Sequence, residues 1–287
     1  MVDQAEALRN KVRKLQESST RVIGILSGKG GVGKSVFAVN FALALHRHGK
    51  KTLLIDLDIG MANVDILLNL YTAYHFVDMI DKRLPIESVI AQHPSGLSII
   101  SGGSGLSHLF NLDEESFRFF LEQFAHLKRM YEYVIFDLPA GFNADTHRFL
   151  SAVHEVILVT TTEPTSLADG YAAIKLMTKN HIDVPIFCVI NRYDSLQEAK
   201  RIWFNLEQTT ARFLGKTLTL LGTLPRDRAV VQAVKNQKPF LTGDPKAKVS
   251  IGLEALTKKY LQQEAYQAPP SFDSFIHRLK SLFRSKG

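Results

Sequence analysis

A segment of eight residues has the composition and spacing of a phosphate-binding loop. Two glycines with four residues between them are followed directly by a lysine and a serine, a pattern typical of loops that cradle nucleotide phosphates. The segment consists of Gly28, Lys29, Gly30, Gly31, Val32, Gly33, Lys34 and Ser35. Backbone N–H groups of such a loop turn toward phosphate oxygens, Lys34 can reach the β- and γ-phosphates, and the Ser35 hydroxyl can ligate Mg²⁺. The alternative is a glycine-rich turn that matches the pattern by chance.

Carboxylates follow two apolar runs further along the chain. Asp56 and Asp58 end the run that begins at Thr52, and because alternate positions on an extended chain point the same way, their side chains share a face. Asp137 ends the apolar run 133–136, where a carboxylate can hold Mg²⁺, often through water. Capping of a following helix is the alternative role for an aspartate at a strand end. Beside a phosphate loop, we expect Asp56 and Asp137 to belong to a metal site.

Apolar runs that predict buried strands alternate with helical patterns along most of the chain. The predicted strands are Val22–Ser27, Thr52–Asp56, Leu97–Ser101, Tyr133–Leu138, Val156–Thr161, Ile186–Asn191 and Leu220–Leu224. The predicted helices include Val36–Leu45, Glu114–Arg129, Leu167–Lys179 and Glu198–Phe213. This alternation indicates an α/β fold with a mostly parallel, doubly wound sheet and helices on both faces. Ligands of such sheets bind at the carboxyl ends of the strands, where the phosphate loop, Asp56, Asp137 and Asn191 all fall.

The composition is that of a protein with a sizeable core and a basic surface. The 287 residues are 45% hydrophobic and carry a net charge of +7, and such an excess suits an anionic partner. No apolar run approaches the ~20 residues of a membrane span, and the charged first residues argue against a signal peptide. The single cysteine, Cys188, is expected to be a buried, reduced thiol of a cytosolic protein. One cysteine is too few for an iron–sulfur cluster shared by two subunits.

The phosphate loop resembles that of the deviant Walker A ATPases, the group of MinD, ParA and the nitrogenase iron protein, because it carries a second lysine, Lys29. The resemblance implies a MinD-like P-loop NTPase of the SIMIBI class that hydrolyses ATP with Mg²⁺ and forms a homodimer around ATP. It implies that Lys29 reaches the partner's ATP and stabilises charge on the transferred phosphoryl group. It also implies that Asp58 positions the attacking water, that Asp56 supports the metal, and that residues 59–65 and 139–141 are switch segments.

Two strand ends resemble the adenine contacts of the same family. Asn191 ends the strand before it, and its side-chain amide can pair with the edge of a base. Pro225, Arg226 and Asp227 follow the last predicted strand and would line the base with their backbone. For both segments, an ordinary turn from strand to helix is the alternative interpretation.

Residues 271–287 predict an amphipathic helix, and a Pro-Pro pair ends the linker at 262–270 that precedes it. One face is apolar at helical spacing and consists of Phe272, Phe275, Ile276, Leu279, Leu282 and Phe283. Cations that include Arg278 and Lys280 fill the other face, a combination typical of a helix that lies on an anionic membrane surface. The alternative is a helix docked on the core of its own domain. Two such helices in one dimer would gain avidity, so ATP-driven dimerisation could control membrane attachment.

Residues 1–20 form a polar extension before the first strand. Residues 3–9 resemble the N-terminal motif of FlhG, the flagellar branch of the family that is also called YlxH or FleN, and the sequence at 60–63 resembles the same branch. The resemblance implies control of flagellar number and placement, stimulation of the GTPase FlhF through Gln4, and contacts with flagellar C-ring proteins. From the residues alone, a solvated helix with a capping pair is the alternative for the extension.

The sequence thus predicts four parts: a partner-activating extension at 1–20, an ATPase domain at 21–261, a linker at 262–270 and a membrane-targeting helix at 271–287. We expect a cytoplasmic protein that associates peripherally with the membrane as an ATP-bound dimer and that does not bind nucleic acid. A MinD-type division-site regulator and a ParA-like DNA-segregation ATPase are the competing functions.

Overall fold

The computed structural model describes residues 20–58, 64–102, 112–264 and 271–284. The strands in these ranges are β1 (Arg21–Leu26), β2 (Thr52–Asp56), β3 (Ala91–Gln92), β4 (Ser98–Ile100), β5 (Tyr133–Asp137), β6 (Glu155–Thr161), β7 (Ile186–Tyr193) and β8 (Thr219–Pro225). They form a sheet in the order β3-β4-β2-β5-β1-β6-β7-β8. Neighbouring strands pair in parallel, except that β3 and β4 are antiparallel.

Helices pack on both faces of this sheet. They are α1 (Lys34–Arg47), α2 (Val64–Leu67), α3 (Phe76–Asp81), α4 (Ile86–Val89), α5 (Glu114–Met130), α6 (Ala144–Ala152), α7 (Pro164–Lys179), α8 (Leu196–Leu214), α9 (Arg228–Lys235), α10 (Phe240–Gly243), α11 (Lys248–Glu264) and α12 (Phe272–Arg284). Within the described ranges, none of the helices is both long enough and apolar enough to cross a membrane.

The central strands read as continuous apolar runs because both of their faces are covered. Every residue of β1, β2 and β5 is buried. Alternate residues of these strands enter two apolar clusters, one on each side of the sheet. Helix α1 supplies an unbroken buried stretch at 37–45 to one side, and α5 and α12 pack on the other. The predicted α/β fold with a mostly parallel sheet is confirmed.

The strand register gathers the predicted chemistry at one edge of the sheet. Asp56 at the end of β2 lies directly opposite Asp137 at the end of β5. Ile25, near the end of β1, is also opposite Asp137, so the loop that follows β1 begins beside these two carboxylates. The sequence did not predict β3, because a two-residue antiparallel strand at the sheet edge has no apolar run of its own.

The terminal helix α12 is docked on the domain, which is the alternative that the sequence left open. Phe272, Phe275 and Leu279 are fully buried. The Phe275 ring lies 5.9 Å from the ring of Phe136 and 6.0 Å from that of Phe149. The apolar stripe expected to face a membrane is therefore part of the core in this conformation. Residues 265–270 of the linker and the Phe283 side chain lie outside the described part of the chain.

Candidate active site

The phosphate loop connects β1 to α1 in a backbone conformation that favours glycine. Gly31 and Gly33 have φ angles of 78° and 90°, in the left-handed region where a Cβ is disfavoured. Gly28 packs closely on α7, because a Cβ added there would lie 2.2 Å from the backbone of Asp169. Helix α1 begins at Lys34, so its first N–H groups face the loop. Strand, loop and helix follow one another as predicted.

Lys34 lies among the carboxylates at the sheet edge. Its Nζ donates a hydrogen bond to Asp137 Oδ1 at 2.5 Å and lies 3.8 Å from Asp58 Oδ2. The Lys34 side chain is 6% exposed and that of Asp137 is fully buried, so the pair balances two charges away from water. The second Asp137 oxygen, Oδ2, is buried without a hydrogen-bond partner. An unpartnered carboxylate oxygen of this kind is suited to a metal ion or to metal-bound water.

Asp56 organises the turn that follows β2. Its Oδ1 accepts a hydrogen bond from the Asp58 backbone N–H at 3.0 Å, and its Oδ2 accepts one from Val64 at 3.3 Å. Burial, followed by the charge of Asp137, raises the pKa of Asp56 to about 7. Burial also raises the pKa of Asp58, although the charge of Lys34 opposes the shift. Because both Asp56 oxygens bind backbone N–H groups, its support of a metal would be indirect, through the placement of Asp58.

Ser35 and Asp137 fit a Mg²⁺ ion that arrives with a nucleotide. Lys34 Nζ lies 3.4 Å from Ser35 Oγ and 2.5 Å from Asp137 Oδ1, so both oxygens flank the same ammonium group. The described residues contain no cluster of three or more His, Cys, Asp or Glu side chains that could hold a metal alone. Mg²⁺ commonly takes one or two protein ligands and completes its shell with water and phosphate oxygens. The donor set therefore fits an ion bound together with a triphosphate.

Lys29 turns toward the first residues of α7. Its Nζ donates to Glu163 Oε2 at 2.7 Å and to Thr165 Oγ1 at 2.8 Å. The Lys29 and Glu163 side chains are 29% and 59% exposed, and the hydrogen bond from Lys29 lowers the pKa of Glu163. The two lysines of the loop thus have different surroundings: Lys34 lies inside the site, and Lys29 lies at the surface. Sequence reasoning missed Glu163 and Thr165, since neither belongs to a recognisable motif.

A cavity of about 270 Å³ lies beside the loop, between the ends of β7 and β8. It brings together both segments predicted to contact adenine with part of the loop and α1. Its lining includes Gly33, Phe37, Asn191, Arg192, Leu224, Pro225, Arg226 and Asp227. Asn191 directs its side-chain Nδ2 to the Val32 carbonyl at 2.9 Å, so this amide contacts the phosphate loop. A larger cavity of about 790 Å³ adjoins it between α9 and α11, but none of the phosphate-loop residues lines it.

Asp227 caps two helices at once. Its Oδ1 accepts from the Ala229 N–H of α9 at 2.9 Å, and its Oδ2 accepts from the Val249 N–H of α11 at 3.2 Å. Arg226 is paired with Asp194 at 2.9 Å. The Asp227 side chain therefore caps helices at an ordinary strand-to-helix turn, which is the alternative interpretation given for this segment. Residues 225–227 also border the cavity.

Other predicted site residues differ from expectation or lie outside the described ranges. Gly141, in the second predicted switch, was expected to offer its N–H to the γ-phosphate, but that N–H donates to the Ser27 carbonyl at 2.9 Å. Gln4 lies in residues 1–19, and most of the first predicted switch lies in residues 59–63; both are outside the described part of the chain. A phosphate contact by Gly141 would require this hydrogen bond to break.

Comparison with known proteins places this site in a family. The ParA family model, described as NUBPL iron-transfer P-loop NTPase, matches residues 18–261. The chain belongs to the ParA family. FleN of Pseudomonas aeruginosa, an antiactivator, is 34% identical over 83% of this chain and 85% of its own length. YlxH of Helicobacter pylori, a flagellum site-determining protein, is 30% identical over 77% of this chain and 75% of its own length.

Solved structures of MinD share the fold of this ParA-family protein. The MinC:MinD complex of Aquifex aeolicus has a TM-score of 0.70 at 24% identity and covers 85% of this chain and 96% of its own. MinD of Pyrococcus horikoshii has a TM-score of 0.67 at 23% identity and covers 86% of this chain and 98% of its own. Both likenesses concern the fold.

These findings identify the site as that of an ATPase of the FleN/YlxH type within the ParA family. The cysteine of this chain gives no support for the iron transfer in the family description. Cys188 is buried in β7, and burial raises its pKa to about 12, so the thiol stays protonated and is a poor metal ligand. The chemistry of the site therefore rests on the loop lysines and the carboxylates at the sheet edge.

Proposed function

We propose that this ParA-family ATPase alternates between a monomer and an ATP-bound dimer on the membrane, and that it regulates the number and placement of flagella. The observation that supports the switch is the different environment of two lysines in one loop: Lys34 is buried beside Asp137, and Lys29 is paired at the surface with Glu163. The flagellar role is supported by the similarity to FleN and YlxH.

ATP binding would exchange the partners of Lys34. The triphosphate offers several anionic oxygens, so Lys34 would leave Asp137 for the β- and γ-phosphates. Asp137 and Ser35 would then hold Mg²⁺, which neutralises charge on the phosphates when bound. Asp58 would orient the attacking water, a role supported by its carboxylate lying 3.8 Å from Lys34 Nζ. MinD of Pyrococcus horikoshii was solved in complex with Mg-ADP, which supports this choice of cofactor.

Dimerisation would give Lys29 a second partner. The pair with Glu163 lies at the surface, where exposed ion pairs are weak, so a triphosphate on a facing subunit can compete for the ammonium. A cation that reaches the transferred phosphoryl group from another subunit stabilises its charge and accelerates hydrolysis. Hydrolysis would therefore depend on the homodimer, and loss of the γ-phosphate would return Lys29 to Glu163.

Membrane attachment would require α12 to leave the domain. Its apolar residues Phe272, Phe275 and Leu279 are buried, whereas its cations Arg278 and Lys280 are exposed. Only the undocked helix can present its apolar face to lipid. An anionic surface would then add an attraction of about 1 kcal/mol for each cation. Peripheral attachment is therefore expected for the ATP-bound dimer, in which two helices act together.

The flagellar partners would be an FlhF-type GTPase and proteins of the C-ring. The extension at 1–20 would order as a helix on the GTPase, since it has too little apolar surface to fold alone. Its short stripe of Leu8, Val12 and Leu15 would supply the docking face. Gln4 could then orient water in the partner's nucleotide site, as glutamine does in other GTPases.

A GTPase assay tests the flagellar assignment. A peptide of residues 1–20 and the full chain should each accelerate GTP hydrolysis by an FlhF-type protein, and Gln4→Ala should remove the effect while Gln16→Ala, in the same extension, should retain it. Capture of C-ring proteins by the full chain, with and without ATP, gives a second readout. If neither GTPase stimulation nor capture occurs, a MinD-type role in placing the division site becomes the favoured function. Similarity to MinD of Helicobacter pylori, 25% identical over 91% of this chain, supports that alternative.

A further inference from the structure

The end of β7 departs from regular strand geometry at Arg192. Its φ angle is 57°, in the left-handed region that residues other than glycine seldom adopt. The pairing of β7 with β8 also shifts register between Ile190 and Tyr193. Irregularities of this kind beside active sites re-aim a side chain, and an unusual backbone conformation at such a position suggests a functional constraint.

The re-aimed side chain contacts the phosphate loop. Arg192 Nη1 donates to the Gly31 carbonyl at 2.6 Å, a short distance that fits a charge-assisted hydrogen bond. The preceding residue, Asn191, donates to the Val32 carbonyl at 2.9 Å. A Cβ added at Gly33 would meet Asn191 Nδ2 at 2.7 Å and Arg192 Nη2 at 3.5 Å. Two adjacent side chains of β7 thus hold two consecutive carbonyls of the loop and fill the space beside the next residue, Gly33.

These contacts act on carbonyl groups, which leaves the loop N–H groups for phosphate. Loops that bind phosphate need their N–H groups turned toward the ligand and their carbonyls turned away. Donors to the Gly31 and Val32 carbonyls favour that orientation before any nucleotide arrives. Arg192 also lines the cavity next to the loop, but its hydrogen bond to Gly31 occupies the guanidinium on the loop side.

We propose that Arg192 is a positioning residue that sets the conformation of the phosphate loop for nucleotide phosphates by holding the Gly31 carbonyl. The proposal rests on ATP binding at this loop and is independent of the flagellar role. It assigns Arg192 to the phosphate end of the nucleotide, and it explains why a bulky residue occupies a glycine-like backbone conformation at this strand end.

Calorimetric titration of the full chain with two probes tests the proposal. The probes are ADP and inorganic tripolyphosphate, each with Mg²⁺. Arg192→Gly suits the backbone at φ 57° but lacks the guanidinium. It should weaken the binding of both probes by about tenfold, the lower end of the range for one hydrogen bond to a charged group. Arg192→Lys retains a cationic donor and should recover much of the affinity. In steady-state assays of Arg192→Gly, the KM for ATP should rise about tenfold while kcat changes little.

Gln237→Gly is the matched control, because Gln237 also has a positive φ of 51° but follows α9 outside the site. It should leave the affinity for both probes unchanged. Unchanged binding in Arg192→Gly would overturn the proposal, and so would an equal loss in Gln237→Gly. A loss confined to ADP would also overturn it, because Arg192 would then contact the base and not set the loop.

Discussion

Lys34 and Asp137 form an ion pair of 2.5 Å between the phosphate loop and the end of β5. The pair joins the lysine expected to bind phosphate to the carboxylate expected to bind the metal. The two charges neutralise each other before nucleotide binds, while the second carboxylate oxygen, Asp137 Oδ2, has no hydrogen-bond partner of its own. The same lysine approaches Asp58, and its removal would leave the buried carboxylates without a nearby ammonium.

Lys34→Ala should abolish detectable nucleotide binding, with a loss of about 100-fold or more in affinity, because it removes the cation that reaches the β- and γ-phosphates. Titration calorimetry with ATP and Mg²⁺ measures the loss. Lys50→Ala is the matched control, since Lys50 is a surface lysine paired with Glu132 and should bind ATP as the wild type does. Equal affinity of wild type and Lys34→Ala would contradict the assignment of the loop.

Lys29→Ala should retain ATP binding but lose hydrolysis linked to dimerisation, because Lys29 lies outside its own phosphate site and pairs with Glu163. Glu163→Gln should instead favour dimerisation, because it frees Lys29 from its ion pair. It removes the competing carboxylate, so the ATP concentration for half-maximal dimerisation should fall by about two- to fivefold, as expected for a surface ion pair. Light scattering against ATP concentration measures the dimerisation of both variants. A Lys29→Ala dimer that hydrolyses ATP at the wild-type rate would disprove the role of Lys29 in trans.

Asp58→Ala should trap an ATP-bound dimer, since the carboxylate that positions water would be gone while Lys34, Ser35 and Asp137 remained. Size-exclusion chromatography with ATP and Mg²⁺ should show a stable species of about twice the 32.2 kDa chain mass. Asp183→Ala removes a surface carboxylate that pairs with Lys216 far from the loop, and this control should still turn over and dissociate. A monomeric Asp58→Ala would show that Asp58 does not act after ATP-dependent assembly.

The full chain should co-sediment with anionic vesicles when ATP is present, and Lys280→Glu should reduce binding by about fivefold or more because it replaces an attracted charge by a repelled one. Lys280 is exposed, so this variant should leave the docked helix intact. Phe275→Glu should also release the protein, but it would bury a carboxylate against Phe136 and lower the melting temperature. Lys258→Glu on α11 is the control, and unchanged sedimentation of Lys280→Glu would favour a purely structural α12.

Acid should destabilise the folded chain through His154, because a proton added at Nδ1 would face the Val22 N–H. The Val22 N–H donates to His154 Nδ1 at 3.0 Å, and His154 Nε2 lies 3.1 Å from the Ser271 carbonyl, so a neutral ring protonated on Nε2 satisfies both partners. Burial lowers the pKa of His154 from 6.5 to about 4. The unfolded chain therefore binds this proton first as the pH falls. Neutral His154 therefore contributes fully to the free energy of unfolding above pH 6.5. This contribution, up to about 3 kcal/mol, is lost as the pH falls toward 4.

Denaturant unfolding at neutral pH and near pH 5 measures this effect. The wild type should lose free energy of unfolding between the two conditions, and His154→Gln should lose less because it has no proton to gain. His277→Gln, at an exposed position on α12, should behave like the wild type. The same pH dependence in His154→Gln and wild type would assign the loss to other groups.

The sequence by itself determined the fold class and the chemistry of the loop. The glycines at 31 and 33 sit where φ is positive, and the apolar runs became buried strands, because backbone preference and the pattern of burial are local properties of a chain. Strand order put Asp56 and Asp137 side by side, as the rule for carboxyl ends of parallel strands predicts.

Tertiary structure alone decided which partners those residues have. Lys34 and Asp137 are separated by 103 residues, and Lys29 and Glu163 by 134, so no local pattern pairs them. The left-handed Arg192 and its contact with Gly31 also depend on how β7 meets the loop. The stripe of α12 fits a membrane or a core equally well by periodicity, because both are apolar surroundings. Its burial against Phe136 and Phe149 depends on the shape and packing of the folded domain, which the pattern does not encode.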